Sequence, residues 1–244
     1  MRAGGRILAA ILDDVQAMAK PGVTTATLSA RAKELIAEHG VEPSFLGYGG
    51  YPDVICLSVN QQAVHTPGSP YVLREGDLLK LDFGVVKDGL HTDSARSIIV
   101  SDLPVEEQKK CYKDLRVLMQ ATREALDAGI AQCVPGNHIG DIAAAVQKTV
   151  EDAGFTVLKE LGGHGIGHVL HDEPFVPNVG KPGQGVLLQA GMTLALEPIV
   201  SFTASRTKDG PDGFTYETVD GSVAAHFEHT VLITDYGPEV LTKT

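Results

Sequence analysis

The stretch GDLLKLDFGVVKDGLHTDSA, residues 76–95, decides the fold. An apolar run carries one acid, Asp82, a turn signal follows at Asp88-Gly89, and the return run carries a second acid, Asp93. Asp-Gly between alternating hydrophobic residues marks a two-residue hairpin turn of the primed type. Such a turn pairs Lys87 with Leu90, sets Asp82 opposite Ala95, and brings Asp93 two residues along on the same face. A three-residue loop would send the two carboxylates to opposite faces. The spacing therefore predicts a hairpin with two acids aimed at one place.

Part of this pattern recurs. VLREGDLLKLD (72–82) matches LLQAGMTLALE (187–197), which puts Asp82 against Glu197, 115 positions apart. Upstream, KPGVTTATLSARAKELIAEHG (20–40) matches VPGNHIGDIAAAVQKTVEDAG (134–154), with Pro21 and Pro135 114 positions apart. In the second copy Ile139, Ile142, Ala143, Val146 and Val150 follow helical spacing, and the closing glycine suits a left-handed helix end. Two copies, each helix-rich and then strand-rich, predict an α+β architecture of two pseudo-symmetric halves, about 1–104 and 105–244, in a single domain. Val105 to Ile130, with Leu115, Leu118, Ala121, Ala125 and Leu126, reads as one long helix opening the second half.

Composition narrows the function. The chain has 244 residues and a formal charge of −11, with 20 Lys+Arg against 31 Asp+Glu. No basic run stands out, so nothing attracts nucleic acid or an anionic membrane. Cys56, Cys111 and Cys133 are odd in number and lack C-x-x-C spacing, which argues against a disulfide framework or a zinc ribbon and fits a reducing cytosol. The apolar RILAAILDDVQ near the start runs into Asp13 and Asp14 and is too short to span a bilayer, so it reads as an amphipathic helix.

Two further acids, Glu197 and Glu228, lie in the apolar runs GMTLALEPIV and VAAHFEHTVLIT. Any one of the four could be a surface residue on an edge strand. As a set, two of them related by the repeat, they need another account. Carboxylates gathered out of water repel and must protonate or meet cations, and no cluster of arginines is at hand. Divalent metal ions meet that need, with one imidazole from LGGHGIGHVLHDEP, where His164 stands among glycines that allow close packing. That glycine run lacks the spacing of a dinucleotide loop. Two metals would supply an activated water and a Lewis acid for a carbonyl, which is the equipment of a hydrolase. Cys56 and Ser58, in ICLSVN, lack the context of a nucleophile elbow and read as packing or pocket residues.

With these residues in view, the chain resembles the type I methionine aminopeptidases, metallopeptidases of the pita-bread (creatinase/aminopeptidase) fold around a curved antiparallel sheet. The resemblance runs from AGGRILAAILDDV to FEHTVLIT and includes YGGYPDVICLSVN, DFGVVKDGLHTD, GGHGIGHVLHDEP and ALEPIV. It implies that Asp82, Asp93, His164, Glu197 and Glu228 bind two divalent ions (cobalt, manganese, iron or zinc), with Asp93 and Glu228 bridging. It also implies that His65 and His171 act on the scissile peptide and that Glu197 shuttles a proton. A methionine pocket would be built by Phe45, Tyr48, Tyr51, Cys56 and Phe214. His168, His226 and His229 take surface or supporting places. The implied activity is removal of initiator methionine from nascent chains with a small second residue, by a cytoplasmic monomer that meets its substrate at the ribosome. The chain departs from the family's pattern at Thr66-Pro67-Gly68 after His65, at Gln61, at Phe45 and Phe214, and at Leu161, positions that bear on pocket shape. Xaa-Pro aminopeptidases and prolidases share the ligand pattern but usually carry an additional N-terminal domain, and type II methionine aminopeptidases insert a long segment before the last ligand. A pita-bread protein without catalysis, serving as a peptide- or ribosome-binding module, is the alternative from another class.

Overall fold

The computed structural model describes residues 1–243. In the first half, helices α1 (Arg2–Met18) and α2 (Thr25–Glu38) precede strands β1 (Glu42–Pro43), β2 (Ile55–Val59), β3 (Gln62–Val64), β4 (Leu78–Lys87) and β5 (Leu90–Ile99). The second half opens with α3 (Val105–Cys111), α4 (Lys113–Ala131) and α5 (Ile139–Asp152). Ten short strands follow: β6 (Thr156–Val157), β7 (Gly162–Gly165), β8 (Asp172–Pro177), β9 (Thr193–Leu196), β10 (Ile199–Ser201), β11 (Thr207–Asp209), β12 (Tyr216–Thr218), β13 (Ala224–His226), β14 (His229–Thr234) and β15 (Gly237–Val240). Every strand pairing described is antiparallel. No described helix is long and apolar enough to cross a membrane.

Helix burial follows sequence spacing. Leu8, Ile11, Leu12 and Val15 form one fully buried stripe of α1, and Ile139, Ile142, Ala143, Val146 and Val150 form that of α5. Each stripe faces its own half's apolar core. The predicted helix over 105–130 is interrupted at Tyr112 (φ −118°, ψ 36°). There the tyrosine hydroxyl donates to Glu75 at 2.6 Å and the ring lies against Gly76, so a tertiary anchor overrides helical periodicity.

The hairpin has the two-residue turn. Asp88 and Gly89 both have positive φ (53° and 74°), Lys87 pairs with Leu90, Asp82 with Ala95, and Gly84 with Asp93. Strand alternation therefore puts both acids on one face. In the second half β9 pairs with β14 and β10 with β13 in one continuing register, broken at Glu197-Pro198 and Phe227-Glu228. The two glutamates stand at the break, where the continued register would set them opposite each other.

The halves meet along β5 and the β13–β14 edge. Glu228 N donates to Ala95 O at 3.0 Å and Ala95 N returns a bond to Glu228 O at 3.3 Å. On either side a hydroxyl stands in for a direct ladder bond. Thr230 Oγ1 accepts from Asp93 N at 2.9 Å and donates to Asp93 O at 2.8 Å, while Ser97 Oγ accepts from His226 N and donates to His226 O, both at 2.8 Å. The two bridges are related by the approximate two-fold of the halves, because Ser97 and Thr230, like Asp93 and His226, are 133 positions apart. The buried His226 is thus the counterpart of Asp93. A hydroxyl that both donates and accepts can satisfy a buried backbone pair by itself.

Removing either bridge leaves a buried N–H and C=O unpaired. Thr230→Val and Ser97→Ala are each expected to cost about 2 kcal/mol or more in urea denaturation, with similar losses for the two variants; a negligible loss in either would show that the bridge is dispensable.

Candidate metal centre

The acids converge on the wall of one cavity of about 250 Å³, lined by Asp82, Asp93, His164, Glu197 and Glu228 together with Phe45, Tyr48, Tyr51, Cys56, His65, His171 and Phe214. Ligand atoms of Asp93, His164 and Glu228 all lie within 4.8 Å of one another, and all three residues are buried. His164 Nε2 is 3.8 Å from Glu197 Oε1. Asp82 lines the same cavity from β4 and raises the proton affinity of the other three acids by its charge.

His164 is delivered by β7, which pairs with β8 on one side and with β9 on the other. The flanking Gly163 has no room for a side chain, since a Cβ there would lie 2.0 Å from Ala195 O. His164 Nδ1 is 2.8 Å from Gly165 O, so Nδ1–H donates to the backbone and Nε2 is left free as a ligand.

Burial alone does not mark these acids. Asp53 is as buried as Asp93, 4% against 3% exposed, yet the two differ in satisfaction. Burial pushes Asp53 up, but donors from Ser29, Lys33, Val54 and Gly68 more than offset it and hold the carboxyl below its ordinary value. Asp93 Oδ1 and Glu228 Oε1 are buried without any hydrogen-bond partner, as are both ring nitrogens of His226. Burial and mutual repulsion push Asp93, Glu197 and Glu228 well above the usual carboxylate range, and burial raises Asp82 to about 7. Burial also lowers His65 and His164 to about 4 and His226 to about 3. Oxygen donors with one neutral imidazole, carrying unsatisfied lone pairs, match the donor preferences of divalent first-row ions.

The apolar side of the cavity is aromatic. Tyr51 meets Phe45 edge-on at 6.5 Å and Phe214 at 5.7 Å. Cys56, opposite Asp82 in the β2–β4 ladder, is buried, and burial raises its thiol well above the ordinary value. His65 sits in left-handed backbone (φ 62°), with its ring 5.5 Å from Tyr216. His168 is exposed; His229 is 2.9 Å from Thr242 Oγ1, outside the cavity. Sequence reasoning missed Tyr216 and Leu170, which also line the cavity. Tyr216 opens β12 two residues after Phe214, and that proximity is the signal that could have found it. It also missed Lys80, 1% exposed beside Asp82, whose Nζ donates to Asn60 O at 2.7 Å.

Comparison with known proteins agrees with this geometry. Residues 1–235 match metallopeptidase family M24, and the chain belongs to that family. It is 42% identical to a methionine aminopeptidase of Clostridium perfringens over 243 residues, 99% of this chain and 94% of that one. The crystal structure of a methionine aminopeptidase from Thermotoga maritima superposes with a TM-score of 0.91 at 41% identity, covering 100% of this chain and 95% of that one. An Xaa-Pro dipeptidase from Bacillus anthracis shares the fold alone, at 20% identity and a TM-score of 0.75, with 59% of its chain covered. The fold is thus the pita-bread fold of a metal-dependent peptidase family.

The proton affinities set a pH signature for the metal-free protein. The raised acids hold native protons that the unfolded chain releases near pH 4, so each takes stability away as pH rises. The depressed histidines work the other way, adding stability as the unfolded imidazoles deprotonate up to about pH 6.5. The two effects oppose each other below that point; above it the four acids outnumber Lys80, whose burial holds its ammonium well below the ordinary value and so works against them. Metal-free protein is expected to lose stability from about pH 6.5 to 8.5, and added divalent ion to abolish the loss. Denaturation curves with and without chelator check this; equal metal-free stability at both pH values would contradict it.

Proposed function

We propose that the chain is a methionine aminopeptidase that removes the initiator methionine from nascent proteins whose second residue is small. The observation that carries this reading is the buried group of Asp93, His164 and Glu228 at one end of a cavity whose other walls are Phe45, Tyr51 and Phe214. In this reading Asp82, Asp93, His164, Glu197 and Glu228 would hold two divalent ions, in one catalytic domain whose halves divide near residue 104. Four carboxylates against two dications balance charge, which relieves the repulsion that raises the acids.

Bound divalent ions supply a Lewis acid for the peptide carbonyl and activate a water at neutral pH. The chain's own residues do the rest. The aromatic walls take an unbranched, polarizable side chain and exclude water, and ring edges favour a thioether sulfur. A second cavity of about 460 Å³ shares His65, His164, His171 and Glu197 with the first and is lined further by Leu161, Glu173 and Phe175. The scissile bond then lies at the shared wall, with methionine on one side and the rest of the peptide on the other. Crowding by those four residues keeps the second side chain small. His65 and His171 bracket the bond, and the carboxylate of Glu197 takes a proton from the attacking water and returns it to the leaving nitrogen. The same reading puts the enzyme in the cytoplasm as a monomer, meeting nascent chains at the ribosome.

Release of methionine from a Met-Ala-Ser peptide, measured across a series of divalent ions beside an Xaa-Pro peptide, tests the proposal. Metal-dependent methionine release with no cleavage of the Xaa-Pro peptide is expected. Preference for the Xaa-Pro peptide would favour a prolidase, and metal binding without turnover a peptide-binding module.

Two variants probe the roles of single residues. Asp93→Asn is expected to cut turnover about 100-fold or more while stabilising the metal-free protein, because the amide removes a group that the fold forces to hold a proton its unfolded form would release. His65→Ala is expected to lower kcat about 100-fold with metal content unchanged. Near-normal turnover in either variant would remove that residue from its role.

A further inference from the structure

Tyr48 and His171 come from opposite halves, 123 positions apart, and meet at the mouth of the cavity. Their rings pack edge-on with centroids 4.8 Å apart and planes at 88°, and the Tyr48 hydroxyl is 3.0 Å from His171 Nδ1. The His171 ring also meets the His164 ring, at 4.3 Å and 78°. The imidazole is therefore packed against two rings and tied at one nitrogen. A neutral imidazole has one donor nitrogen and one acceptor, and which is which follows from the partner. A phenol is the stronger donor of this pair and the sp² imidazole nitrogen the stronger acceptor, so the bond runs from O–H to Nδ1. The ring proton then resides on Nε2, the nitrogen left over for a ligand.

We propose that Tyr48, beyond forming part of a pocket wall, is a positioning residue that fixes His171 as its Nε2–H tautomer and so presents a hydrogen-bond donor to the carbonyl oxygen of the peptide to be cut. The opposite tautomer would aim a lone pair at an oxygen that gains negative charge in the transition state, and a preorganised donor at that place lowers the barrier. The substrate half of this statement rests on the functional reading above; the tautomer does not.

The test uses the full chain loaded with zinc, which is diamagnetic, at about pH 8, where imidazole is neutral. Long-range proton–nitrogen correlation spectra of isotope-labelled protein read the tautomer, with His171 assigned by its loss in His171→Gln. The expected result is an unprotonated Nδ1 and a protonated Nε2 in the native chain, with that preference lost in Tyr48→Phe. In turnover, Tyr48→Phe is expected to lower kcat about fivefold to tenfold with KM changed less than about twofold, and to lower nothing further once His171→Gln is present. A protonated Nδ1 in the native chain, an unchanged tautomer in Tyr48→Phe, or an equal kcat loss in both backgrounds overturns the proposal. The native spectrum needs neither variant nor turnover. A chain with the expected tautomer that releases no methionine would therefore refute the functional reading and leave the Tyr48–His171 contact standing.

Discussion

Four carboxyl groups share one buried space, and the architecture around them can be understood as what holds them there against their mutual repulsion. Left to themselves such groups would pull apart or keep their protons, and their raised proton affinities record that tension. The backbone resists it in two ways. The β4–β5 hairpin fixes the direction of Asp82 and Asp93 through ten ladder pairs, and the reciprocal bonds between Ala95 and Glu228 tie the second half to the first at the same level. Hydroxyl bridges on either side extend the tie without a continuous ladder. Stability spent on this arrangement is returned when cations enter, which is why a metallopeptidase family can maintain it.

Comparison of Asp53 with Asp93 separates structural from functional burial. Asp53 is surrounded by donors and is an ordinary acid of the fold, whereas Asp93 and Glu228 keep unpaired oxygens turned into a cavity. Buried lone pairs without partners are costly, so their persistence points to a ligand. The aromatic walls opposite them make the other end of that cavity apolar.

Much of this was legible in the sequence because the relevant rules are local. Asp88-Gly89 specified the turn, the turn specified the parity, and parity placed both hairpin acids on one face. Helical stripes were equally readable from their spacing. What stayed hidden depends on contacts between distant segments. The repeat aligns positions 114 or 115 apart, but the seam relates positions 133 apart, so nothing in the alignment marks His226 as the counterpart of Asp93. Lys80 reads as a surface residue by type and becomes a buried one only because the Asn60 carbonyl accepts its ammonium. The break at Tyr112 likewise depends on Glu75, 37 positions away.

Ala95 and Glu228 hydrogen-bond to each other at the point where the approximate two-fold passes between the halves. In an assembly of two identical subunits a residue at such a point meets its own copy, so an acid there would face an acid and a methyl group a methyl group. Joining both units in one polypeptide lifts that rule, and the position holds alanine in one copy and glutamate in the other. Covalent linkage thereby permits a lone carboxylate on the axis, an odd number that no homodimer built from either half could place there.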